Sequence, residues 1–316
     1  MKILVTPTSM QSGSDSAALK KLSAYCPDLV FNPTGKPLEE DKLIDLLSDC
    51  DGYLAGLDFV TEKVLRNCPN LKAISRYGAG YDRVDTKTAR ELGIAVSNTP
   101  GANAQAVAEL TFGMLLSLAR SIPYLHNETI NGKWVRSSGI ELFGKTIGII
   151  GLGAIGKKLA RCCEGFNMKI LVYDPYIQES YCTEHNILPV ALEELLKESD
   201  LITLHLPLND STYHLIDAHA ITLMKQGAIL VNASRGGIVD EEAAYHALCN
   251  GRLGGLGLDA FEKEPPEASS LFTLPNVIAT PHTGAHTKEA TAAMAEMAVD
   301  NLICMLEGKE CKYIVN

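Results

Sequence analysis

The sequence predicts an α/β protein of two domains, each a parallel sheet with helices on both faces. Three observations carry that reading. Residues 1–98 alternate short apolar strands with helical patterns. The same alternation resumes after Asp174 and runs to Thr280. Between them, residues 145–174 read as strand, glycine-rich turn, helix, second strand and terminal acid. At 316 residues the chain is long enough to bury two cores.

In the first stretch, strand-like runs fall at Ile3–Val5, Leu29–Phe31, 53–55, 71–75 and Ala95–Ser97. Helical patterns between them are clearest at 38–47 and 61–67. No phosphate fingerprint occurs here, so this stretch reads as a partner domain. Past its fourth strand comes RYGAGYDRVD, where Gly78 and Gly80 straddle Ala79 in a turn at a strand's carboxyl end. Open α/β sheets place ligands there, and exposed backbone N–H groups suit a carboxylate. A plain βα connection is the competing reading. After the NTPG turn at 98–101, Ala104–Ala119 is continuously apolar and reads as a buried helix. Residues 124–144 are more polar, hold the only tryptophan (Trp134) and lack clear periodicity. They read as a dimer arm or a connecting loop.

The chain is organised around residues 145–174. The β-branched run Thr146, Ile147, Ile149, Ile150 reads as a buried parallel strand. Gly151, Gly153 and Gly156 follow in G-x-G-x-x-G spacing. The first allows a tight turn, the second lets backbone approach a pyrophosphate, and the third lets helix pack on strand. The phosphates then face helix N–H groups and the positive end of the helix dipole. Asp174 ends the second strand, 174 − 156 = 18 residues beyond the last glycine, where an acid accepts ribose hydroxyls. A carboxylate there repels a 2′-phosphate, which favours NAD over NADP, although Lys157 and Lys158 lie close in sequence.

Beyond Asp174, helices are expected at Leu192–Glu198, 218–225 and 241–250, and strands at 201–206, 228–233, 255–259 and 277–280. A long amphipathic helix at 287–306 is expected to return to the first domain. The expected domains are thus 1–98 plus 286–316, discontinuous and substrate-binding, and 99–285, which binds the dinucleotide.

Composition is ordinary for a globular protein, with 46% hydrophobic and 21% charged residues. A formal net charge of −10 argues against nucleic acid and anionic membrane surfaces as partners. It leaves room for a small acidic substrate held by local arginines. Nine scattered cysteines without a C-x-x-C pair read as buried or incidental thiols in a reducing compartment, and no metal is expected. MKILVT reads as a strand rather than a signal peptide, and no apolar run reaches spanning length, so a cytoplasmic protein is expected.

Three strand ends in the second half carry reactive side chains. In LVNASRGGIVDE, Arg235 precedes Gly236 and Gly237, and its planar fork suits a carboxylate; a surface ion pair is the commoner fate of arginine. In LDAFEKEPPE, Asp259 ends the strand, and Glu262, Glu264 and Glu267 follow in a Pro-rich loop that leaves the choice among them open. In VIATPHTGAH, His282 follows Pro281 in a turn, where a solvated histidine is the common case. All three sit at carboxyl ends of strands in a sheet that already holds a dinucleotide, and that shared location raises each of them.

With these motifs assembled, the chain resembles the D-specific 2-hydroxyacid dehydrogenases, and among them the phosphoglycerate dehydrogenases. The resemblance rests on GLGAIG at 151–156, Asp174, HLPL at 205–208, NASRGGIVDE at 232–241, LDAFEKEPP at 258–266 and TPHTGAHT at 280–287. RYGAGYDRVD at 76–85 and AVAEL at 106–110 also match. It implies two Rossmann-like domains, a homodimer and hydride transfer between NAD and C2 of a D-2-hydroxy acid or 2-keto acid. D-3-phosphoglycerate, in serine biosynthesis, is the first expectation. A general D-2-hydroxyacid, glyoxylate or hydroxypyruvate reductase is the alternative, and an NADH-binding corepressor or redox sensor is the alternative of another class. By the same resemblance, His282 exchanges the proton, Glu264 is its carboxylate partner, and Arg235 binds the substrate carboxylate and polarises the keto group. Gly78 and Ala79 offer backbone donors to that carboxylate, and Arg76 is a basic substrate contact. Ala154, Ile155, Asp174, Pro207, Ala233 and Asp259 line NAD. The pattern departs at Ala55, where phosphoglycerate dehydrogenases carry a phosphate-binding arginine, and at Tyr77, where they carry a smaller residue.

Overall fold

The computed structural model describes residues 1–316. They form two compact units, Met1–Asn103 with His286–Asn316, and Ala104–Ala285.

In the first unit β1 (Ile3–Val5), α1 (Ala17–Tyr25), β2 (Leu29–Phe31), α2 (Glu40–Leu47), β3 (Gly52–Ala55), α3 (Glu62–Arg66), β4 (Ala73–Arg76), α4 (Thr86–Glu91) and β5 (Ala95–Ser97) alternate. Their strands pair in parallel in the order β2-β1-β3-β4-β5. Side chains of a strand point alternately to its two faces. Leu4, Tyr53, Ile74 and Val96 therefore enter one buried cluster, while Ile3, Val5, Leu54 and Ala73 enter another. The fourth strand starts at Ala73 rather than at residue 71, because the Leu71 N–H turns back onto the Cys68 carbonyl (3.1 Å).

The second unit opens with α5 (Ala104–Ala119) and α6 (Ile122–Ile130). The alternation then runs β6 (Thr146–Ile150), α7 (Ala154–Glu164), β7 (Lys169–Tyr173), α8 (Glu179–Glu184), β8 (Ile187–Pro189), α9 (Leu192–Glu198), β9 (Leu201–Leu204), α10 (Ala218–Leu223), β10 (Ala228–Asn232), α11 (Glu241–Cys249), β11 (Leu253–Leu258) and β12 (Val277–Ala279). The seven strands are parallel, in the order β12-β11-β10-β9-β6-β7-β8. Read in chain sequence this is the doubly wound order, which reverses direction between β6 and β9. Both faces are covered, as an all-parallel sheet requires. Ile150, Leu171, Ile202 and Leu230 feed the cluster under α9, α10 and α11, and Ile149, Val172, Leu201 and Val231 feed the one under α5 and α7. The last helix, α12 (Lys288–Leu306), is capped by Thr287 and packs on α1, β3 and β4 of the first unit.

Residues 124–144 thus begin within a helix. None of the residues of α6 is buried, so no apolar face marked it in the sequence. No single helix is long and apolar enough to cross a membrane.

Candidate active site

The carboxyl ends of β6, β7 and β9 lie side by side, with Ile150 in register with both Tyr173 and Leu204. Three motif residues emerge there together: Gly151, Asp174 and His205. Gly151 adopts φ +99°, which an L side chain rarely tolerates. A Cβ on Gly156 would stand 2.2 Å from the Gly151 carbonyl oxygen, so the helix closes onto the turn only without one. At Gly153 the same test meets nothing within 4 Å, and the side facing away from the protein is open. Gly153 caps α7 with no side-chain hydrogen bond, so the N–H groups of the helix's first turn have no capping side chain. This cradle fits a dinucleotide pyrophosphate.

Asp174 leaves β7 with each carboxylate oxygen holding one backbone amide: Oδ2 accepts from Leu152 N (2.7 Å) and Oδ1 from Tyr176 N (2.8 Å). The acid therefore braces the glycine loop while retaining lone pairs for ribose hydroxyls. The His205 N–H donates to the Ile150 carbonyl (2.8 Å). Although the residue as a whole is partly accessible, both ring nitrogens are covered and have no hydrogen-bond partner. Burial pushes its pKa down to about 4, so the ring is neutral. Pro207 follows on the surface.

At the end of β10, Asn232 organises the next turn. Its Oδ1 accepts from Ser234 N and Oγ (3.1 and 2.8 Å), and its Nδ2 donates to the Arg235 carbonyl (2.8 Å). Ala233 lies in this turn, and Arg235 Nη1 donates to the Ser234 carbonyl (2.7 Å). A Cβ on Gly236 would lie 1.7 Å from the Phe261 carbonyl oxygen, so the Arg235 loop rests directly on the loop after β11. From that second loop Glu264 Oε1 reaches His282 Nδ1 at 2.7 Å, and Phe261 N donates to the same oxygen (3.4 Å). With Nδ1 committed to the carboxylate, Nε2 is the ring nitrogen left for proton exchange. His282 itself sits at φ +52°.

Asp259, 2% exposed, holds the His282 loop from below. Its Oδ1 accepts from Thr280 Oγ1 (2.6 Å) and Thr283 N (2.7 Å), and its Oδ2 accepts from Gly284 N (2.7 Å). This bracing was not visible in the sequence, where Asp259 carried only a cofactor-lining role.

The remaining expected residues belong to the first unit. Arg76 is 8% exposed, and its Nη1 donates to the Ala55 carbonyl (3.5 Å) and to the Tyr77 carbonyl. Gly78, at φ +139°, lies over that guanidinium, and its N–H donates to Thr99 Oγ1 (3.0 Å). The Ala79 amide has no partner within the chain, while its carbonyl accepts from Asn98 Nδ2 (2.6 Å). No group of three His, Cys, Asp or Glu side chains is arranged to hold a metal ion.

Residues 112–284 match the family model of the D-isomer specific 2-hydroxyacid dehydrogenases, NAD binding domain. The chain belongs to this family. It is an NAD-binding oxidoreductase with the family's two-sheet α/β fold. The D-3-phosphoglycerate dehydrogenase of Methanocaldococcus jannaschii is 41% identical over 283 residues, covering 88% of this chain but 54% of that protein. The chain thus spans about half the length of that relative. The hydroxypyruvate reductase of Thermotoga maritima is 44% identical over 263 residues, covering 81% of this chain and 85% of the relative. Among solved structures, the D-lactate dehydrogenase of Aquifex aeolicus complexed with NAD and lactic acid superposes with a TM-score of 0.85 at 29% identity, over 99% of each chain. For a dehydrogenase of this family, the glycine cradle and Asp174 are the residues of this chain that suit NAD.

Proposed function

We propose that this dehydrogenase interconverts a short, unphosphorylated D-2-hydroxy acid and its 2-keto acid, with hydroxypyruvate and glyoxylate as the favoured keto substrates. The observation that carries the chemistry is the 2.7 Å contact between His282 Nδ1 and Glu264, beside the loop that bears Arg235. When bound, the nicotinamide supplies or takes up the hydride at C2. As the keto group is reduced, negative charge develops on its oxygen. Arg235 holds the substrate carboxylate and polarises that oxygen with its fixed fork of donors. His282 Nε2 delivers the proton to the oxygen as the charge appears, and takes it back in the oxidative direction. Glu264 fixes the ring's orientation and balances the imidazolium. Ala79 offers its amide to the substrate carboxylate, and Ala154, Ile155, Asp174, Pro207, Ala233 and Asp259 line NAD.

Two observations support an unphosphorylated substrate. Residues 55–59, the end of β3 and the loop after it, contain no cation. Their one charge, Asp58, is a buried carboxylate that accepts from Leu38 N (2.7 Å), Tyr53 Oη (2.8 Å) and Thr6 Oγ1. Arg76, the other basic candidate, is buried against backbone carbonyls. A phosphate dianion favours guanidinium or ammonium partners. The second reading, 3-phosphohydroxypyruvate, is favoured by the 41% identity to the Methanocaldococcus jannaschii enzyme. The test is NADH oxidation by purified protein with hydroxypyruvate, glyoxylate and 3-phosphohydroxypyruvate side by side. Preference for the unphosphorylated acids is expected. Preference for the phosphorylated one would restore the serine-biosynthetic reading, and silence on all three with NADH still bound would favour the sensor.

The proposal includes a homodimer formed through residues 122–143. There Ile122, Ile130, Trp134 and Phe143 are all more than half exposed, large apolar side chains that a partner subunit would cover. Ile130→Asp with Trp134→Asp should halve the mass seen by analytical ultracentrifugation; an unchanged dimer would remove this surface from the interface. The proposal also includes cytoplasmic operation. All nine cysteines are unpaired, and burial pushes the Cys50 and Cys163 thiols up to about 12, which keeps them protonated and inert.

A further inference from the structure

The three residues assigned to the chemistry lie on three loops, and a second set of carboxylates ties two of them, those of Arg235 and Glu264, together. Glu241 is the first residue of α11, at the far end of the Arg235 loop. Glu262 stands two residues before Glu264. Glu241 Oε1 accepts from Glu262 N (2.8 Å), and Glu262 Oε1 accepts from Glu241 N (3.1 Å). Each acid thus grips the other's main chain rather than a cation. A further loop, between β9 and α10, closes the arrangement. His214, at φ +49°, donates its N–H to the Gly237 carbonyl (2.7 Å). It places Nε2 3.2 Å from Glu262 Oε1 and Nδ1 3.8 Å from Asp240 Oδ2, with Tyr213 stacked on its ring at 4.1 Å.

Two carboxylates side by side repel each other. Burial pushes the Glu241 carboxyl above its ordinary value; the Glu262 amide it accepts from pulls it back, and the Glu262 charge gives a smaller push up. A plain surface cap would not need a second acid held against the first. The reciprocal pair does something a single cap cannot. It fixes main chain to main chain in both directions, six residues from Arg235 and two from Glu264. With the backbone of Gly236 already against Phe261, the two loops lose the freedom to slide.

We propose that Glu241 and Glu262, closed by His214, are positioning residues that hold the Arg235 loop in register with the Glu264–His282 pair. The proposal rests on the roles given above to Arg235, Glu264 and His282. A misplacement of about 1 Å at a reacting centre lowers turnover on the order of 100-fold, so a loosened latch should act on kcat. The glycine cradle and Asp174 lie on other loops, and Ala233 and Asp259 sit at the strand ends ahead of the latch, so NADH binding should be largely spared.

The test measures kcat and KM for the keto acid, the Kd of NADH and the thermal midpoint for Glu241→Ala, Glu262→Ala, their double variant, Glu262→Gln and His282→Ala. Each alanine variant should lose about tenfold or more in kcat, with NADH affinity within about twofold of the parent. The double variant should be no worse than the poorer single one by more than about threefold, because both remove one device. Glu262→Gln keeps an acceptor oxygen for both donors and should retain about half of kcat or more, which also keeps the question open to measurement if an alanine variant fails to fold. Alanine variants with unchanged kcat, or a glutamine variant as poor as the alanine one, would overturn the latch while His282→Ala stays inactive. Full activity in His282→Ala would instead remove the chemical reading beneath the latch, and the latch with it.

Discussion

Asp259→Asn separates bracing of the His282 loop from direct contact with the cofactor. The carboxylate accepts from Thr280 Oγ1, Thr283 N and Gly284 N at 2.6–2.7 Å, with both oxygens in use. Asparagine has one acceptor oxygen and one donor nitrogen. In its better orientation Oδ1 keeps Thr280 and Thr283, and Nδ2 then confronts the Gly284 N–H at the same spacing. Two donors cannot stay there. Gly284 is buried, so its amide is left unpaired, and the two surviving bonds lose their charge assistance. Losing one hydrogen bond to a charged group and stranding its buried partner costs about 3 kcal/mol. For a domain of this size that is a drop of about 6–12 °C in thermal midpoint. His282 lies two residues before Gly284, so the loop's relaxation should also lower kcat by about tenfold to 100-fold. Calorimetry, keto-acid-dependent NADH oxidation and NADH titration by fluorescence check the three quantities. An unchanged midpoint, with the whole loss in NADH affinity, would refute the bracing argument and leave Asp259 as a cofactor contact alone.

His205 makes a pH prediction. Its folded pKa of about 4 lies below the unfolded value of 6.5, so below pH 6.5 the unfolded chain takes a proton that the fold refuses. Stability is present in full above 6.5 and is lost as pH falls toward 4; at pH 5 the loss from this group is about 2 kcal/mol. His205→Leu should flatten that part of the urea midpoint between pH 7.5 and 5, and an equally steep dependence in the variant would exclude His205 as its source. Gly236→Ala and Gly153→Ala should fail differently. A Cβ at 236 meets a carbonyl at 1.7 Å and must push the Arg235 and Glu264 loops apart, so thermal midpoint and kcat should both fall. At 153 there is open space, so the fold should keep its midpoint while NADH binding weakens; the reverse pattern in either variant would contradict the geometry.

The sequence showed most of the fold because the parallel strands are buried on both faces. Runs such as Ile149–Ile150 and Leu201–Ile202 are apolar whichever way they point, and the turns between them carry glycine or capping acids. Elements with little to bury escaped. The helix α8 buries only Cys182, and the edge strand β8 buries only Ile187. α6 buries nothing. Periodicity is a record of burial, and where a segment lies at an edge or on the surface there is no record to read.

The three glutamates of the loop after β11 show where sequence reading of the site stops. They share one residue type and one short Pro-rich loop, and spacing alone gave no reason to prefer any of them. Their partners decide, and every decisive partner is distant in the chain. Glu264 meets His282, eighteen residues on; Glu262 meets Glu241 and His214, twenty-one and forty-eight residues back. Glu267 finds only Lys263, an exposed pair of the kind that contributes little. The resemblance to a family paired Glu264 with His282, and the two lie 2.7 Å apart, but it had nothing to say about Glu262, because it carried roles for residues that touch the reaction. Each acid meets one ring nitrogen and one backbone amide, so the physical distinction is which histidine it holds: His282 for Glu264, His214 for Glu262. Only the first can take part in moving a proton at the substrate. The second can set how far away that proton is.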